Sequence, residues 1–340
     1  MTPVRRAVID VGTNSVKLLV ADVYDDEIRP VREESTQTRL GQGFYETRRL
    51  QPEAIAATAE ATAKFAAAAR QDQASRIRVL ATSAAREAVN SLELTEAIQV
   101  AAGLQVEIIS GDQEALLGLK GVQTDPQLAQ SALLLLDVGG GSTQCILGDT
   151  EQITFRRSFA LGTVRLLEML PCSDPPKPEE LRKCRRWLSQ FLQEQIPQEL
   201  RQALQGSNST ANSGMAIDDP SRFGGAGAAG VALVGVGGTA SILGCMEAKL
   251  ERFDRQRLEA TRLSAGRVSW HVDRLWSLPL AERQQTPGLP KNRADVILMG
   301  VAIYEAVMDV LGSGELRIST RGLRFAALSD AAKAGDQRSA

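Results

Sequence analysis

Two segments of the chain place an aspartate just before a turn of small residues, between two apolar runs. The first reads AVIDVGTNSVKLLVAD over 7–22, and the second reads LLLDVGGGSTQCILGD over 134–149. An apolar run, a glycine-containing turn and a second apolar run predict a β-hairpin. Because glycine lets a ligand approach the backbone closely, such a turn can direct N–H groups at phosphate oxygens.

The two segments align without a gap at an offset of 127 residues. Asp10 aligns with Asp137, and Ser15 aligns with Ser142. One such hairpin is common, but two in the same register predict a duplicated domain whose halves open with the same element.

The rest of the chain alternates predicted strands and helices, which is typical of α/β lobes. Proline near a helix start, glycine after a helix end and apolar periodicity define the elements. We predict helices at 53–69, 84–102, 113–122, 178–195, 293–311 and 323–333, and strands at 77–82, 106–110, 231–236 and 316–319. The predicted fold is α/β, with two duplicated actin-like or ribonuclease H-like lobes and a central cleft between them.

The lobes are predicted to divide near 126, in the polar stretch that precedes the second hairpin. The first lobe covers 1–126 and the second covers 127–320, while a terminal helix at about 321–335 packs back on the first lobe. The segment 205–230 is rich in Ser, Asn, Gly and Ala with few bulky apolar residues, which predicts a flexible insertion.

Charge and composition exclude several classes of function. The 340 residues include 39 Lys and Arg against 41 Asp and Glu, a net charge of −2, so nucleic acid is not an expected partner. The single histidine, His271, excludes multi-histidine metal sites. None of the four cysteines forms a CxxC pair, which excludes zinc-ribbon and thioredoxin motifs.

The same features predict where the chain works. Sparse, scattered cysteines suit a reducing compartment, and we expect a cytoplasmic protein. No stretch of roughly 18 apolar residues occurs, so neither a membrane span nor a membrane partner is expected.

The aspartates that end the first strand of each hairpin are candidate metal ligands. Asp10 and Asp137 could hold Mg²⁺, which binds through one or two carboxylates, waters and substrate phosphates. The alternative is that each aspartate only caps its turn, as Asp-x-Gly often does.

The turns themselves are candidate phosphate-binding loops, although either could be an ordinary turn. Two such loops facing each other across the cleft would grip a chain of phosphates from both sides. Their residues are Gly12, Thr13, Asn14 and Ser15 in the first turn, and Gly139, Gly140, Gly141, Ser142 and Thr143 in the second.

Six motifs, in order, resemble those of the exopolyphosphatase/guanosine pentaphosphate phosphohydrolase family, within the superfamily of actin-like ATPase folds. They cover most of the chain, and the length resembles the short, two-domain members of the family. The motifs are DVGTNSVK at 10–17, ATSAAREAVN at 81–90, SGDQEA at 110–115, DVGGGSTQ at 137–144, GVGGTAS at 235–241 and RADVILMG at 293–300.

The resemblance implies Mg²⁺-dependent release of terminal phosphate from inorganic polyphosphate or from guanosine pentaphosphate, and makes a homodimer plausible. It implies that Glu114, the glutamate of SGDQEA, is the catalytic base. Arg86 matches a family arginine that reaches substrate phosphate, and Arg293 and Lys17 match further cationic positions. Without the family, each would be an ordinary surface or capping residue.

One position departs from the family pattern. The second hairpin motif usually ends in glutamate, and here it ends in Gln144, which keeps the size but loses the negative charge. This leaves open a polyphosphate- or alarmone-binding protein with little catalysis. A separate alternative is an ATP-dependent phosphotransferase of the same superfamily, because GVGGTAS resembles the loop that flanks adenosine in its kinases.

Overall fold

In the computed structural model, the described residues are 2–25, 27–129, 131–149, 152–210 and 231–333. They form two compact units. Unit 1 comprises 1–126, 139–142 and 321–340, and unit 2 comprises 127–138 and 143–320. Among the described residues, no helix is long and apolar enough to cross a membrane.

The strands of the two units are numbered along the chain. They are β1 Val4–Val11, β2 Ser15–Val23, β3 Ile28–Gln37, β4 Arg76–Ala81, β5 Val106–Ile108, β6 Leu133–Val138, β7 Thr143–Gly148, β8 Ile153–Phe159, β9 Ala232–Val236, β10 Arg262–Ser264 and β11 Glu315–Ile318.

The helices are numbered in the same way, and one 3₁₀ turn, Lys291–Arg293, precedes the long apolar helix. They are α1 Phe44–Thr47, α2 Pro52–Gln71, α3 Ser83–Glu87, α4 Ser91–Ala102, α5 Gly111–Val122, α6 Thr163–Met169, α7 Pro178–Gln195, α8 Gln198–Thr210, α9 Gly237–Ala248, α10 Arg255–Ala260, α11 Ala265–Trp276, α12 Leu280–Arg283, α13 Ile297–Leu311 and α14 Leu323–Lys333.

The two sheets repeat one arrangement of strands. In unit 1 the order is β3-β2-β1-β4-β5, and in unit 2 it is β10-β11-β9-β6-β7-β8. Each contains an antiparallel hairpin, a third antiparallel strand beyond it, and a parallel strand on the other side. The α/β fold and the duplication predicted from the two aligned hairpins are therefore confirmed.

The sheet of unit 1 is covered on both faces because successive side chains of a strand point to opposite sides. Ile9 and Val11 of β1 pack in the same apolar cluster as residues of α2 and α4. Val8 packs on the opposite face with residues of α5 and α14. Arginines secure α14, since Arg6 donates to Leu328 O at 2.8 Å and Arg324 donates to Leu18 O at 2.8 Å.

The core of unit 2 is built around α13, in which every residue except Asp309 is buried. The buried carboxylate of Glu305 on this helix accepts two hydrogen bonds of 2.7 Å from Arg185 of α7. Arg185 also binds Asp273 of α11 at 2.7 Å. A buried carboxylate needs such a partner, and Arg185 thereby ties three helices together.

Two predicted helices have different bounds. The helix predicted at 84–102 is divided into α3 and α4, because the backbone of Ala88 is extended. Between the two helices, the Asn90 side chain accepts from the backbone N–H of Leu50 and donates to the backbone carbonyl of Leu50. The helix predicted at 293–311 begins at Ile297, after the 3₁₀ turn, where the Asp295 carboxylate accepts from Val296 N at 2.9 Å.

The insertion predicted at 205–230 is wrong for its first six residues. These are helical as the end of α8, because Leu204 enters the core and the Gln205 side chain donates to Val310 O at 3.0 Å. The remaining residues, 211–230, lie outside the described residues.

A tight helix contact predicts the effect of one methyl group on stability. A Cβ at Gly121 of α5 would lie 2.0 Å from Gly322 O, just before α14. Because backbone cannot move aside cheaply, we expect Gly121→Ala to lower the free energy of unfolding by about 2 kcal/mol. Urea unfolding measures the change. In the control Gly314→Ala the new methyl group meets nothing within 4 Å, so a similar loss there would contradict the packing explanation.

Candidate active site

Three neighbouring parallel strands of unit 1 end at the same edge of the sheet. Val11 of β1 pairs with Ala81 of β4, and Ala81 pairs with Ile108 of β5. The turn that begins at Gly12, the helix α3 and the helix α5 follow these three strands. The carboxyl ends of parallel strands are the usual place for ligands in α/β sheets, so this edge is the candidate site.

The turn after β1 is closed by a backbone hydrogen bond that the second hairpin repeats. Gly12 N donates to Ser15 O at 3.0 Å, and Gly139 N donates to Ser142 O at 2.9 Å. A Cβ at Gly12 would lie 3.1 Å from the same Ser15 oxygen, and one at Gly139 would lie 3.0 Å from Ser142 O. Glycine is therefore favoured at both positions because a side chain would crowd the carbonyl oxygen of the turn. Neither glycine has a left-handed backbone.

The two turns lie against each other within unit 1, which includes 139–142. A Cβ on Gly140 would be 3.0 Å from Thr13 Cβ and 3.3 Å from Asn14 Cβ. Thr13, Asn14, Ser15 and Ser142 are all buried. The structure thus brings together the two sets of residues predicted to bind phosphate, although their role in binding stays a prediction.

The loop that follows β3 holds the first turn in place. Thr38 N and Arg39 N both donate to Asn14 O, at 3.2 and 3.1 Å, and Gly41 N donates to Thr13 O at 2.8 Å. Arg39 has a left-handed backbone with φ of 52°. Such strain in a residue other than glycine is often found at functional sites, and Arg39 is a cationic candidate that the sequence analysis missed.

Arg86 and Glu114 form an ion pair at the same edge. Arg86 follows β4 on α3, and its Nη1 donates to Glu114 Oε2 at 3.0 Å and to Ile109 O at 3.0 Å. Their side chains are only 22% and 13% exposed. Glu114 lies in the first turn of α5, whose capping box joins Ser110 and Gln113. The structure therefore places Glu114, the predicted base, beside Arg86, the arginine predicted to bind phosphate.

The aspartates at the hairpins have different surroundings. Asp10 pairs in register with Lys17, so both side chains lie on one face of β1 and β2. In unit 2, Asp137 pairs with Gln144. A Cβ on Gly237 would lie 2.2 Å from Asp137 Oδ1, which puts this carboxylate at the first residue of α9.

Gly237 also has a φ of +81°, which few residues other than glycine adopt. Thr239 of the same helix donates to Val138 O at 2.7 Å. The GVGGTAS motif therefore positions the strand end that carries Asp137. The sequence analysis gave this motif only a resemblance to the loop that flanks adenosine in kinases of the superfamily.

Two residues at the start of β7 make internal hydrogen bonds. The buried Thr143 hydroxyl donates to Leu161 O at 2.6 Å. Gln144 is 2% exposed and its Nε2 donates to Ser158 Oγ at 3.2 Å. Both residues thus contribute to the sheet, and the predicted contact of Thr143 with phosphate remains untested.

Arg293 lies in unit 2, in the 3₁₀ turn before α13, and its backbone N–H donates to Pro290 O at 2.8 Å. Arg293 begins the motif RADVILMG, whose last residue, Gly300, must be small because a Cβ there would lie 2.4 Å from Thr239 Cγ2. The role of Arg293 toward substrate stays a prediction.

His271 and Cys145 are buried side chains of unit 2. The described residues contain no group of three or more His, Cys, Asp and Glu side chains able to hold a metal ion. His271 is buried and its Nε2 lies 2.8 Å from Glu247 Oε2, while burial lowers its pKa. Burial raises the pKa of the Cys145 thiol, within β7, to about 12.

Known proteins are similar to this chain over most of its length. The model of the Ppx/GppA phosphatase family matches residues 19–218. Exopolyphosphatase 2 of Mycobacterium tuberculosis is 31% identical over 317 residues, which cover 90% of each chain. The chain belongs to the Ppx/GppA phosphatase family. The resemblance inferred from the six motifs is thereby confirmed.

Solved structures show the same fold for this Ppx/GppA phosphatase. A family member from Aquifex aeolicus superposes with a TM-score of 0.73 at 26% identity, over 97% of this chain and 98% of the other. An exopolyphosphatase from Cytophaga hutchinsonii gives a TM-score of 0.80 at 23% identity, with the same two coverages, and supports the fold alone.

The ion pair predicts how two substitutions affect the stability of the phosphatase. In Glu114→Gln the amide oxygen still accepts from Arg86, so we expect a loss of about 1 kcal/mol in the free energy of unfolding. Glu114→Leu removes the acceptor and leaves a partly buried guanidinium with one partner fewer, at a cost of about 2 to 3 kcal/mol. Urea unfolding compares them, and equal losses would mean that the negative charge itself is structural.

Proposed function

We propose that this phosphatase is an exopolyphosphatase that releases orthophosphate from the end of an inorganic polyphosphate chain. The observation that carries the proposal is the Arg86–Glu114 pair at the sheet edge where the Gly12 turn also begins. A phosphate ligand, a carboxylate base and a glycine-containing turn are the groups that such a hydrolysis needs. The 31% sequence identity to the mycobacterial exopolyphosphatase supports the choice of substrate.

In the proposed reaction, a water oxygen attacks the terminal phosphorus and the bond to the bridging oxygen breaks. The shortened chain leaves with the electron pair of that bond, and the proton of the water passes to Glu114. Little covalent work falls to the protein, so positioning and charge neutralisation dominate. Arg86 would bind the terminal phosphoryl oxygens, and its bond to Glu114 would hold the carboxylate in place.

The turns would hold the phosphates further along the chain through Gly12, Ser15, Gly139 and Ser142 and their neighbours. Packing between Gly140 and Asn14 keeps both turns in fixed positions. Lys17 and Arg293 would add positive charge from β2 and from the 3₁₀ turn. Fixed dipoles and charges stabilise developing negative charge without reorganising.

The chain's donors fit Mg²⁺ by their chemistry. Asp10 in unit 1 and Asp137 in unit 2 are partly exposed residues, each one position before the end of its strand. Their carboxylates are the hard oxygen donors that Mg²⁺ takes together with waters and substrate phosphates. Either residue would bind the ion with the substrate. When bound, Mg²⁺ neutralises charge on phosphoryl oxygens. Glu114 and Arg86 act on water and phosphate as described above.

The first prediction from this proposal concerns Glu114. Glu114→Gln keeps the contact with Arg86 but cannot take a proton, so we expect kcat to fall by about 10² to 10⁴. Orthophosphate release from polyphosphate measures this, with Mg²⁺ and with a chelator, and we expect the chelator to abolish release by the unaltered enzyme. Asp112→Asn removes a neighbouring, exposed carboxylate of the same helix turn and is the control for charge. Release unchanged in Glu114→Gln would rule out this residue as the base.

The substrate is distinguished in the same assay. Release from guanosine pentaphosphate is measured beside release from polyphosphate, and a higher kcat/KM for the nucleotide would replace polyphosphate as the proposed substrate. With ADP or a sugar added as acceptor, formation of ATP or a sugar phosphate in place of orthophosphate would instead indicate a phosphotransferase.

The second prediction concerns Gln144, where the family pattern has glutamate. A carboxylate at this buried position would face Asp137 across the hairpin and could accept a hydrogen bond from Ser158. If the ancestral machinery is otherwise intact, we expect Gln144→Glu to raise kcat by roughly tenfold or more. Gln144→Met is the control for packing. No hydrolysis by either the unaltered chain or Gln144→Glu would favour the binding function over catalysis.

A further inference from the structure

The side-chain amide of Asn14 is held at one end only. Gln37, the last residue of β3, donates from Nε2 to Asn14 Oδ1 at 3.0 Å. Asn14 is 5% exposed, and its Nδ2 is buried with no hydrogen-bond partner among the described residues. A buried donor without an acceptor is costly and calls for an explanation.

The backbone around Asn14 leaves this amide little freedom. Its carbonyl accepts from both Thr38 N and Arg39 N, and its Cβ lies against Gly140. Gln37 pairs in register with Ser15, so the end of β3 is fixed beside the turn. The main freedom left to this side chain is therefore rotation about χ2, which exchanges the positions of the amide oxygen and nitrogen.

That choice decides what the amide can bind. An asparagine amide offers an acceptor at one end and two donors at the other, whereas a phosphate oxygen without a proton can only accept. Gln37 occupies the oxygen end with an N–H donor and leaves the nitrogen end for an acceptor. The nitrogen is enclosed with the two turns that are proposed to bind phosphate, and hydrogen bonds to charge are stronger where water is excluded.

We propose that Gln37 is a positioning residue that fixes the Asn14 amide with its nitrogen toward the substrate, where it donates to a phosphoryl oxygen of the bound chain. The inference rests on the proposed function, since it takes a phosphate chain as the ligand. Gln37 itself does not contact substrate in this proposal and acts through Asn14.

The test reverses the amide. In Gln37→Glu the carboxylate can only accept, so it attracts Asn14 Nδ2 and turns the amide oxygen toward the phosphate. We expect the Kd for inorganic tripolyphosphate to rise about ten- to hundredfold, as for the loss of a hydrogen bond to a charged group. Calorimetry measures the Kd in the Glu114→Gln background, so that hydrolysis during the titration is slow. KM for polyphosphate should rise in the active enzyme by a similar factor.

Two controls separate this role from charge and from folding. Gln42→Glu adds the same charge in the neighbouring loop at an exposed position, and it should raise the Kd by much less. Gln37→Leu removes the donor without adding charge and should raise the Kd by a smaller factor. In an Asn14→Ala background, Gln37→Leu should change the Kd no further, and urea unfolding verifies that each variant is folded.

The proposal is overturned if Gln42→Glu weakens tripolyphosphate binding as much as Gln37→Glu does. It is also overturned if Gln37→Leu weakens binding equally with and without Asn14, because the effect would then not pass through the amide. The binding measurements do not depend on turnover. Failure of the unaltered enzyme to release phosphate from polyphosphate would contradict the proposed function alone.

Discussion

The parallel register of β1, β4 and β5 is the constraint on which the candidate site depends. Hydrogen bonding fixes Val11 beside Ala81 and Ala81 beside Ile108. The next residues along the chain must therefore emerge together, although they are far apart in sequence. A turn that can present N–H groups, the arginine of α3 and the glutamate of α5 all follow from this one edge. A strand shifted by one residue would turn its apolar side chains to the wrong face.

Duplication has kept the scaffold and changed the chemistry. Both hairpins close with the same backbone hydrogen bond, from Gly12 to Ser15 and from Gly139 to Ser142. The residue opposite the aspartate differs between the two hairpins: Lys17 faces Asp10, and Gln144 faces Asp137. The backbone of the turn is constrained by crowding against its own carbonyl oxygen. The side chain on the facing strand is set by its own surroundings, which for Gln144 are a buried site and a hydrogen bond to Ser158.

Charged groups near the sheet edge and in the core are placed by pairing. Arg185 of α7 neutralises the buried Glu305 in the core of unit 2. Arg86 binds Glu114 in the same way but at the sheet edge, where both side chains keep some exposure. Arg185 itself keeps more exposure than Arg86, so the two pairs differ mainly in where the carboxylate lies: Glu305 is on the buried helix α13, and Glu114 is in the first turn of α5.

The amino-acid sequence by itself determined the α/β class, the duplicated hairpins, most helix and strand positions, and the motifs that indicate the family. These depend on local patterns: alternation of apolar residues, turn residues and helix caps. The sequence did not reveal the break at Ala88, the helical start of the predicted insertion, or the left-handed Arg39. Asn90 bound to Leu50, Leu204 packed in the core and Arg39 N bonded to Asn14 O depend on residues distant in the chain. Tertiary structure alone decided that Arg86 meets Glu114 and that Gln37 holds Asn14, because side-chain hydrogen bonds form only after the strands have set which distant residues become neighbours.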